Sequence, residues 1–436
     1  MTGRLRRRGF LGVVAAAALA GCSDALDDEP TRLDGAELTA LADSETPSVP
    51  KSVPVSIAPA YLDRSERRAR DLLDVVPDPL EPRHVPNEAI RDDISRARER
   101  AREALDRAAS AATPFERMAA LRSARADAAN ASGAWRAVDE AYERADVVNA
   151  APALAEDVHA FRDQLTYVGG DAVDAVLVYA PVERRVRSAA NDVSRLTNGE
   201  FARPENALTV GEASERLERA RASLDDAHHL AERHAESVAS ARDLGDRLSR
   251  ATADLESAVD AEYRTLPEES AEGSAYVDRD VGDTPAAWVL QQAYGDLDWM
   301  REEVAERRSA GYLADAVLAA HEALVQRRAF GRLRERVASG ENFAVSSVAD
   351  VRTMRADAVS AVESTRSAPP RTLNRTAVHD PAQQLGFVDD QLSRVGDDPT
   401  AAQVGHEAAD YVRVEATASS IPPASERVVE TLRAGE

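Results

Sequence analysis

The stretch from Glu212 to Leu266 contains no proline and repeats apolar residues at heptad spacing. Such a repeat predicts one continuous helix of about 80 Å, with a seam that packs against partner helices. Many seam residues are small, so each buries little apolar area and the partners must approach closely. Gly245 interrupts the seam and predicts a bend. One heptad position holds Leu217, Leu224, Ala231, Val238, Thr252, Val259 and Leu266, and the other holds Ala220, Ala227, His234, Ala241, Leu248 and Leu255.

Two upstream segments, Glu88 to Ala112 and Thr113 to Val148, supply partner helices for this seam. Capping residues followed by proline predict helix starts. The capping side chain accepts hydrogen bonds from the free backbone N–H groups of the first turn, and proline fits the first helical position because it has no N–H group to be satisfied there. Thr113 to Glu116 and Thr209 to Glu212 also match the capping box. The cap and proline pairs are Thr113-Pro114, Thr284-Pro285, Asp380-Pro381 and Asp398-Pro399, and the predicted inner faces carry Ile94, Leu105, Phe115, Met118 and Leu121.

Strand signals are nearly absent, since the one alternating apolar run, residues 53–57, is flanked or interrupted by prolines. We therefore predict an all-α fold. An elongated antiparallel bundle of coiled-coil-like helices is expected over residues 58–266, and a second domain of shorter helices over residues 284–436. The Pro-, Gly- and acid-rich residues 267–283 are the predicted linker. Trp288 and Trp299 are predicted to share one helix face and to anchor the second core.

The chain is strongly acidic, with 77 Asp and Glu against 54 Lys and Arg and a net charge of −23. Lys51 is its single lysine. This profile resembles proteins of salt-loving archaea, whose carboxylate surfaces stay hydrated in molar salt. GC-rich codon usage is an alternative source of the arginines, although it does not account for the acid excess. The charge argues against a nucleic-acid binder, and the single Cys22 excludes internal disulfides and cysteine-based metal clusters.

The first 22 residues have the layout of an export signal: a basic start, an apolar run of about a dozen residues and a small-residue cleavage region. Arg7-Arg8-Gly9-Phe10-Leu11 resembles the twin-arginine export signal, and Leu19-Ala20-Gly21-Cys22 resembles the lipobox of lipoproteins. The resemblance covers only this signal. It implies that residues 1–21 are removed and that Cys22 is lipidated, which would place the mature chain on the outer side of the cell membrane. Arg6 replaces the small hydroxyl residue usual before the arginine pair, and a buried N-terminal helix is the alternative interpretation.

Residues 22–57 contain four prolines and an acidic cluster, and they lack helical periodicity. We expect them to form a flexible, lipid-anchored tether with a reach of roughly 30 to 35 Å. The folded part of the protein would then stand off the membrane by that distance.

Two clusters carry residue types found in metal sites. Glu156 and His159 have the Glu-x-x-His spacing that di-iron bundles use, and a second, degenerate cluster follows later in the chain. Because 77 acids make such pairs common by chance, we predict no metal site and no cofactor. The weak candidates for metal ligands are Glu156, His159, Asp225, His228, His229, Glu232 and His234.

Catalytic templates give no better match. His406 to Asp410 resembles the zinc-protease motif, but Asp410 stands in place of its second histidine. We find no nucleophile elbow, phosphate loop or dinucleotide fingerprint in the sequence, and we predict no catalytic residues. Asn374 and Asn130 match the N-glycosylation pattern; Asn374, expected in a proline-bounded loop, is the better candidate.

These features predict a non-enzymatic cell-surface lipoprotein, held to the membrane by Cys22, that acts by helical contacts as an envelope scaffold or as an accessory subunit of a membrane complex. A protein partner at the cell surface is expected, and nucleic acid is not. The alternative is an extracytoplasmic helical module that binds a small solute or metal. That alternative requires a pocket, and the small-residue packing argues against a large one.

Overall fold

The computed structural model describes residues 30–198, 205–267, 273–295 and 297–434. The export signal and Cys22 lie outside the described residues. Within these ranges sixteen α-helices and one antiparallel pair of two-residue strands form an all-α fold, as predicted. The elements are α1 (Gly35–Ala42), α2 (Pro59–Asp74), α3 (Glu88–Ala109), α4 (Pro114–Asp139), α5 (Arg144–Val148), α6 (Ala151–Gln164), β1 (Val168–Gly169), α7 (Ala172–Thr197), α8 (Ala207–Ser237), β2 (Arg242–Asp243), α9 (Gly245–Tyr263), α10 (Pro285–Gly295), α11 (Leu297–Ser309), α12 (Leu313–Ala338), α13 (Val348–Ser367), α14 (Arg371–Ala377), α15 (His379–Leu392) and α16 (Ala401–Arg433).

The first unit is a bundle in which α4 packs against α2, α3 and α8, and α8 also packs against α7. Alanines on α3 and α4 are buried and let these helices approach closely. The predicted inner-face residues Ile94, Met118 and Leu121 are at most 1% exposed. The predicted start of α4 is confirmed, because the Thr113 hydroxyl accepts a hydrogen bond from the backbone N–H of Glu116 at 3.1 Å.

The single long helix predicted over Glu212 to Leu266 is wrong, because α8 ends at Ser237 and α9 begins at Gly245. Between them the chain runs through β2, which pairs with β1 of the segment before α7. The heptad pattern continues across this break because each helix has its own buried face. Those faces contact two different cores.

The second unit contains α9 to α16, with α12 and α16 at its centre. Leu248, Leu255 and Val259 of α9 are buried in this second core, so the change of core occurs near residue 244. This corrects the boundary predicted at residues 267–283, which lies within the second unit. The helices of the second unit are not uniformly short either, since α16 has 33 residues.

Residues 30–57, which we call the N-terminal segment, are packed rather than free. Leu33, Leu38 and Val49 are buried in the second core, and α1 packs against α13 and α15. Backbone bonds join Leu33 and Gly35 to residues 397–399. A side chain at Gly35 would lie 2.0 Å from a backbone oxygen, so only glycine fits there. The tether predicted over residues 22–57 is corrected for residues 30–57, because the apolar side chains of this part are buried in the folded chain.

Helix α7 joins the two units. Its first half contributes Val173, Val176 and Tyr179 to the second core, and its second half contributes Val186 and Val193 to the first core. One continuous helix therefore fixes the two units relative to each other. Helix α12 also packs against α7.

Trp288 and Trp299 do not anchor the second core as predicted. They lie on α10 and α11 and are 39% and 49% exposed, so both side chains are at the surface rather than in the core. Among the described helices, none combines the length and the apolar character required to cross a membrane.

Candidate functional site

A cavity of about 480 Å³ lies between the two units. Helices α4, α7 and α8 form its wall in the first unit, and α12, α14, α15 and α16 form its wall in the second. Residues 50–53 of the N-terminal segment line it as well. A space of this size is within the range of cavities that hold small ligands.

The strap, defined here as residues 49–53, is held by both units. In the second unit, the ring Nδ1–H of His379 donates to the carbonyl of Val49 at 2.5 Å. In the first unit, the backbone N–H of Lys51 donates to Glu116 at 2.8 Å, and the Thr113 hydroxyl donates to the carbonyl of Lys51 at 2.5 Å. The strap thus bridges the two units along one side of the cavity.

Two residues that line the cavity carry buried polar atoms without a hydrogen-bond partner among the described residues: Nε2 of His379 and Oγ of Ser223. His379 is 5% exposed and Ser223 is 1% exposed. Nδ1 of His379 donates to Val49, and Nε2 lies 3.9 Å from a carboxylate oxygen of Asp380, beyond hydrogen-bond distance. Unpartnered buried polar atoms are costly, which indicates that a solute or water satisfies them.

The cavity lining is positively charged although the chain is acidic. Five lining side chains are cations and two are carboxylates. The cations are Lys51, Arg122, Arg184, Arg185 and Arg375, and the carboxylates are Glu322 and Asp380.

Asp226 fixes the cations of the first wall. It is 2% exposed and accepts hydrogen bonds from Tyr61 at 2.5 Å, Arg122 at 2.5 Å and Arg185 at 3.4 Å. Arg185 also stacks 4.8 Å above the ring of Phe115. Burial lowers the pKa of Arg185 to about 10, so this guanidinium remains charged at neutral pH. One carboxylate therefore positions two cations, and the wall keeps a net positive charge.

Asp315 has the same role in the opposite wall. It is fully buried and forms ion pairs with Arg184 at 2.5 Å, Arg187 at 3.2 Å and Arg307 at 3.4 Å. Since Arg184 lies on α7 and Asp315 lies on α12, this cluster also connects the two units. Beside this cluster, burial raises the pKa of Glu183 to about 8. Hydrogen bonds from Tyr167 and from two backbone amides act in the opposite direction but are outweighed by burial.

The predicted metal-ligand candidates are brought together only in part: Asp225, His228, His229 and Glu232 line one pocket between α2, α4 and α8. Glu156 and His159 are exposed on α6. On α8, His229 stacks on Tyr61 with ring centroids 4.2 Å apart. The ring Nε2–H of His234 donates to the carbonyl of Val168 at 3.0 Å, and the ring packs edge-on against Tyr179. Asp225 pairs with Arg125, His228 packs on Phe161, and Glu232 is exposed. The described residues contain no group of three potential metal ligands.

The predicted glycosylation candidates are enclosed in the folded chain. Asn374 is 0% exposed, and its amide donates to the carbonyls of Ala368 and Pro369. It lies in α14 rather than in a loop, which corrects the prediction. Asn130 is half-buried in α4 and donates to Glu215 at 2.6 Å. In the folded protein, the side-chain amides of Asn374 and Asn130 are therefore not accessible to a glycosyltransferase.

The residues of the cavity were missed in the sequence because they come from seven helices and the strap. Two local signals could have indicated them. Glu183, Arg184 and Arg185 directly follow an apolar helical run, where charged residues need buried partners. Lys51 is the single lysine of the chain and lies among prolines.

Comparisons with known families divide the chain at the same place as the packing. Residues 60–243 match the family model described as Domain of unknown function (DUF8262), and residues 245–430 match the one described as Domain of unknown function (DUF8264). No curated protein and no solved structure matches the chain. The chain therefore consists of two adjacent domains, the first similar to DUF8262 and the second similar to DUF8264, with the cavity at their junction.

Proposed function

We propose that this chain is a non-catalytic binding module that holds a small solute in the cavity between its two domains. The observation that carries the proposal is the cavity itself, a partly open space of about 480 Å³ whose lining residues include two with a buried, unpartnered polar atom. Both domains and the strap contribute to its lining, so the binding site requires the complete chain. The solute-binding alternative requires a pocket, and the small-residue packing in the sequence argued against a large one.

The proposed place of action is the outer face of the cell membrane. This part of the proposal is supported by the sequence of the first 22 residues, in which the Arg7-Arg8 pair and the lipobox-like residues 19–22 predict export and lipidation of Cys22. The acidic composition supports a salt-loving source. The N-terminal segment would then connect the anchor directly to the strap and so to the cavity.

The charges favour a solute over a metal ion. Five lining cations against two carboxylates oppose the approach of a divalent cation, which requires oxygen ligands or neutral imidazoles. We therefore take the solute branch of the binding hypothesis.

The second candidate function is contact with a protein partner as an envelope scaffold or accessory subunit. It is favoured by three exposed large apolar side chains, Trp288, Trp299 and Phe387. Exposed aromatic residues are enriched where proteins bind each other. A cross-linked pull-down from native membranes in molar salt tests it: a stoichiometric partner that is lost in Trp299→Ser supports the contact function, and isolation of the protein alone contradicts it.

Co-purification tests the solute-binding function. The lipid-anchored protein would be extracted from its own membranes in molar KCl and analysed by native mass spectrometry for a bound small molecule. Thr417→Trp on α16 should fill the cavity and remove that molecule, because half-buried Thr417 lines the cavity. Thr431→Trp is the matched control, since Thr431 is a half-buried threonine of the same helix outside the lining. A protein that carries no solute, or a solute retained in Thr417→Trp, contradicts the proposal.

A further inference from the structure

The cavity has an apolar part and a charged part. Leu177, Leu318, Val325, Leu373 and Ile421 line it from three helices of the second domain and from α7. These side chains belong to the buried core or its edge, so they offer a water-poor surface to a hydrocarbon group. The five cations supply the charged part of the lining.

The positive charge is not cancelled by the next layer of residues. Asp226, Asp315, Glu303 and Glu116 add four carboxylates behind the lining, and Arg187 and Arg307 add two cations beside Asp315. With the lining residues this makes seven cations against six carboxylates, so the positive charge is reduced but still in excess. Desolvation raises the pKa of Glu322 above its ordinary value, which further weakens the negative side.

The cations differ in how firmly they are held. Arg122 and Arg185 are fixed by Asp226, and Arg184 is fixed by Asp315. Lys51 lies 3.5 Å from Asp380 and is half exposed. Arg375 is exposed on α14 and forms no ion pair within the described part of the chain. Arg375 and Lys51 are thus free to move onto a bound anionic group, while the fixed arginines supply a constant positive field.

We propose that the ligand of this cavity is an organic anion with an apolar body, whose carboxylate or phosphate group pairs with Arg375 and Lys51 and whose hydrocarbon part lies against the leucine-lined wall. This inference rests on the proposed solute-binding function and adds the chemical class. The strap gives the site a connection to the anchor, because Lys51 lies on the same short segment that Val49 fixes to His379.

The test is isothermal titration calorimetry of the full folded chain in molar KCl with four probes of equal chain length: octanoate, octyl phosphate, 1-octanol and octylammonium. Inorganic phosphate alone is a fifth probe, and it separates a free phosphate from a hydrocarbon-bearing one. High salt shortens the screening length to about 3 Å, so binding that survives reports charges in direct contact. Octanoate or octyl phosphate should bind, and 1-octanol and octylammonium should bind at least about ten-fold more weakly.

The variants Arg375→Gln and Arg371→Gln provide the matched pair. Both arginines are exposed on the short helix α14, but only Arg375 lines the cavity. Arg375→Gln should lower the affinity for the organic anion about five-fold or more, and Arg371→Gln should leave that affinity unchanged. Circular dichroism melting of both variants confirms equal folding, which the exposure of both side chains leads us to expect.

Three results overturn the inference: equal binding of 1-octanol or octylammonium, binding of inorganic phosphate as tight as octyl phosphate, or no binding of either organic anion. None of these removes the solute-binding function, which the co-purification and the Thr417→Trp variant decide separately. A co-purified neutral solute would thus refute the proposal of an organic anion as the ligand but would support the solute-binding function.

Discussion

Asp315→Asn should destabilise the protein strongly, because it removes the carboxylate that joins the two domains. Asp315 is 0% exposed and pairs with Arg184 of α7, Arg187 of α7 and Arg307 of α11. The Arg307 side chain is only 9% exposed and would keep Glu303 as its remaining carboxylate partner. Removal of one partner from a buried ion pair costs about 3 to 5 kcal/mol, and the retained pair with Glu303 places the expected loss at the lower end, about 3 kcal/mol.

Asp260→Asn is the matched control, because its ion pair with Arg301 is on the surface, with both side chains at least 40% exposed. Such pairs contribute about 0.2 to 1 kcal/mol. With an unfolding entropy of about 2.1 cal/mol/K per residue, the free energy of unfolding of the whole chain changes by about 0.9 kcal/mol per degree, so Asp315→Asn should lower Tm by about 3 °C and Asp260→Asn by about 1 °C or less.

The assay is thermal unfolding followed by far-ultraviolet circular dichroism in molar KCl, with both variants at the same protein concentration. If the two domains unfold separately, the shift in the transition that contains the junction becomes larger, since fewer residues share it. Equal shifts for the two variants, or a shift below about 1 °C for Asp315→Asn, would refute the claim that this buried cluster holds the junction.

Further predictions concern the buried groups around this junction and the N-terminal segment. The pKa of Glu183 is about 8 in the folded chain against 4.5 in the unfolded chain, so the contribution of this group to stability is full below pH 4.5 and is lost as the pH rises to about 8. Urea unfolding across this pH range should show the decline in stability. The Glu183→Gln variant should no longer show this pH dependence. Thr46→Val removes the 2.6 Å hydrogen bond to Asp389, so urea unfolding should show a loss of about 1 kcal/mol and limited proteolysis should cut residues 30–57 faster. Mass spectrometry of the peptide with Asn374 from native protein should show no glycan, and a glycosylated peptide would contradict the buried position of this amide.

Local signals in the sequence predicted the fold class and several helix starts. The pair Thr113-Pro114 marks the start of α4, and Thr284-Pro285 marks the start of α10, because capping depends on residues that are adjacent in the chain. The pair at Asp398 missed α16 by two residues, since Thr400 is the cap there. Such shifts arise where two capping residues compete.

Features that depend on distant residues were not predictable in the same way. The break after Ser237 requires β1, which lies about 70 residues earlier in the chain. Burial of Leu38 requires the second core, which forms more than 200 residues later. Apolar periodicity shows that a residue is buried but not which core buries it, so one continuous seam was inferred where two faces exist.

The candidate site shows the same limit more strongly. Composition correctly described an acidic chain, but it could not show that α4, α7, α14 and the strap bring their cations to one cavity. Conversely, the histidines of α8 were weighed as metal ligands because of their spacing. In the fold, His229 and His234 point to packing partners and backbone groups instead.

Hydrogen exchange with and without octyl phosphate tests the central claim, that the space between the two domains is a binding site. In molar KCl, saturating probe should slow exchange in the strap, in α14 and in the parts of α7 and α12 that line the cavity, and should leave α3 and α13 unchanged. That pattern requires both domains to respond to one ligand. Protection confined to a single domain, or located on the exposed surface of α3, would contradict the account.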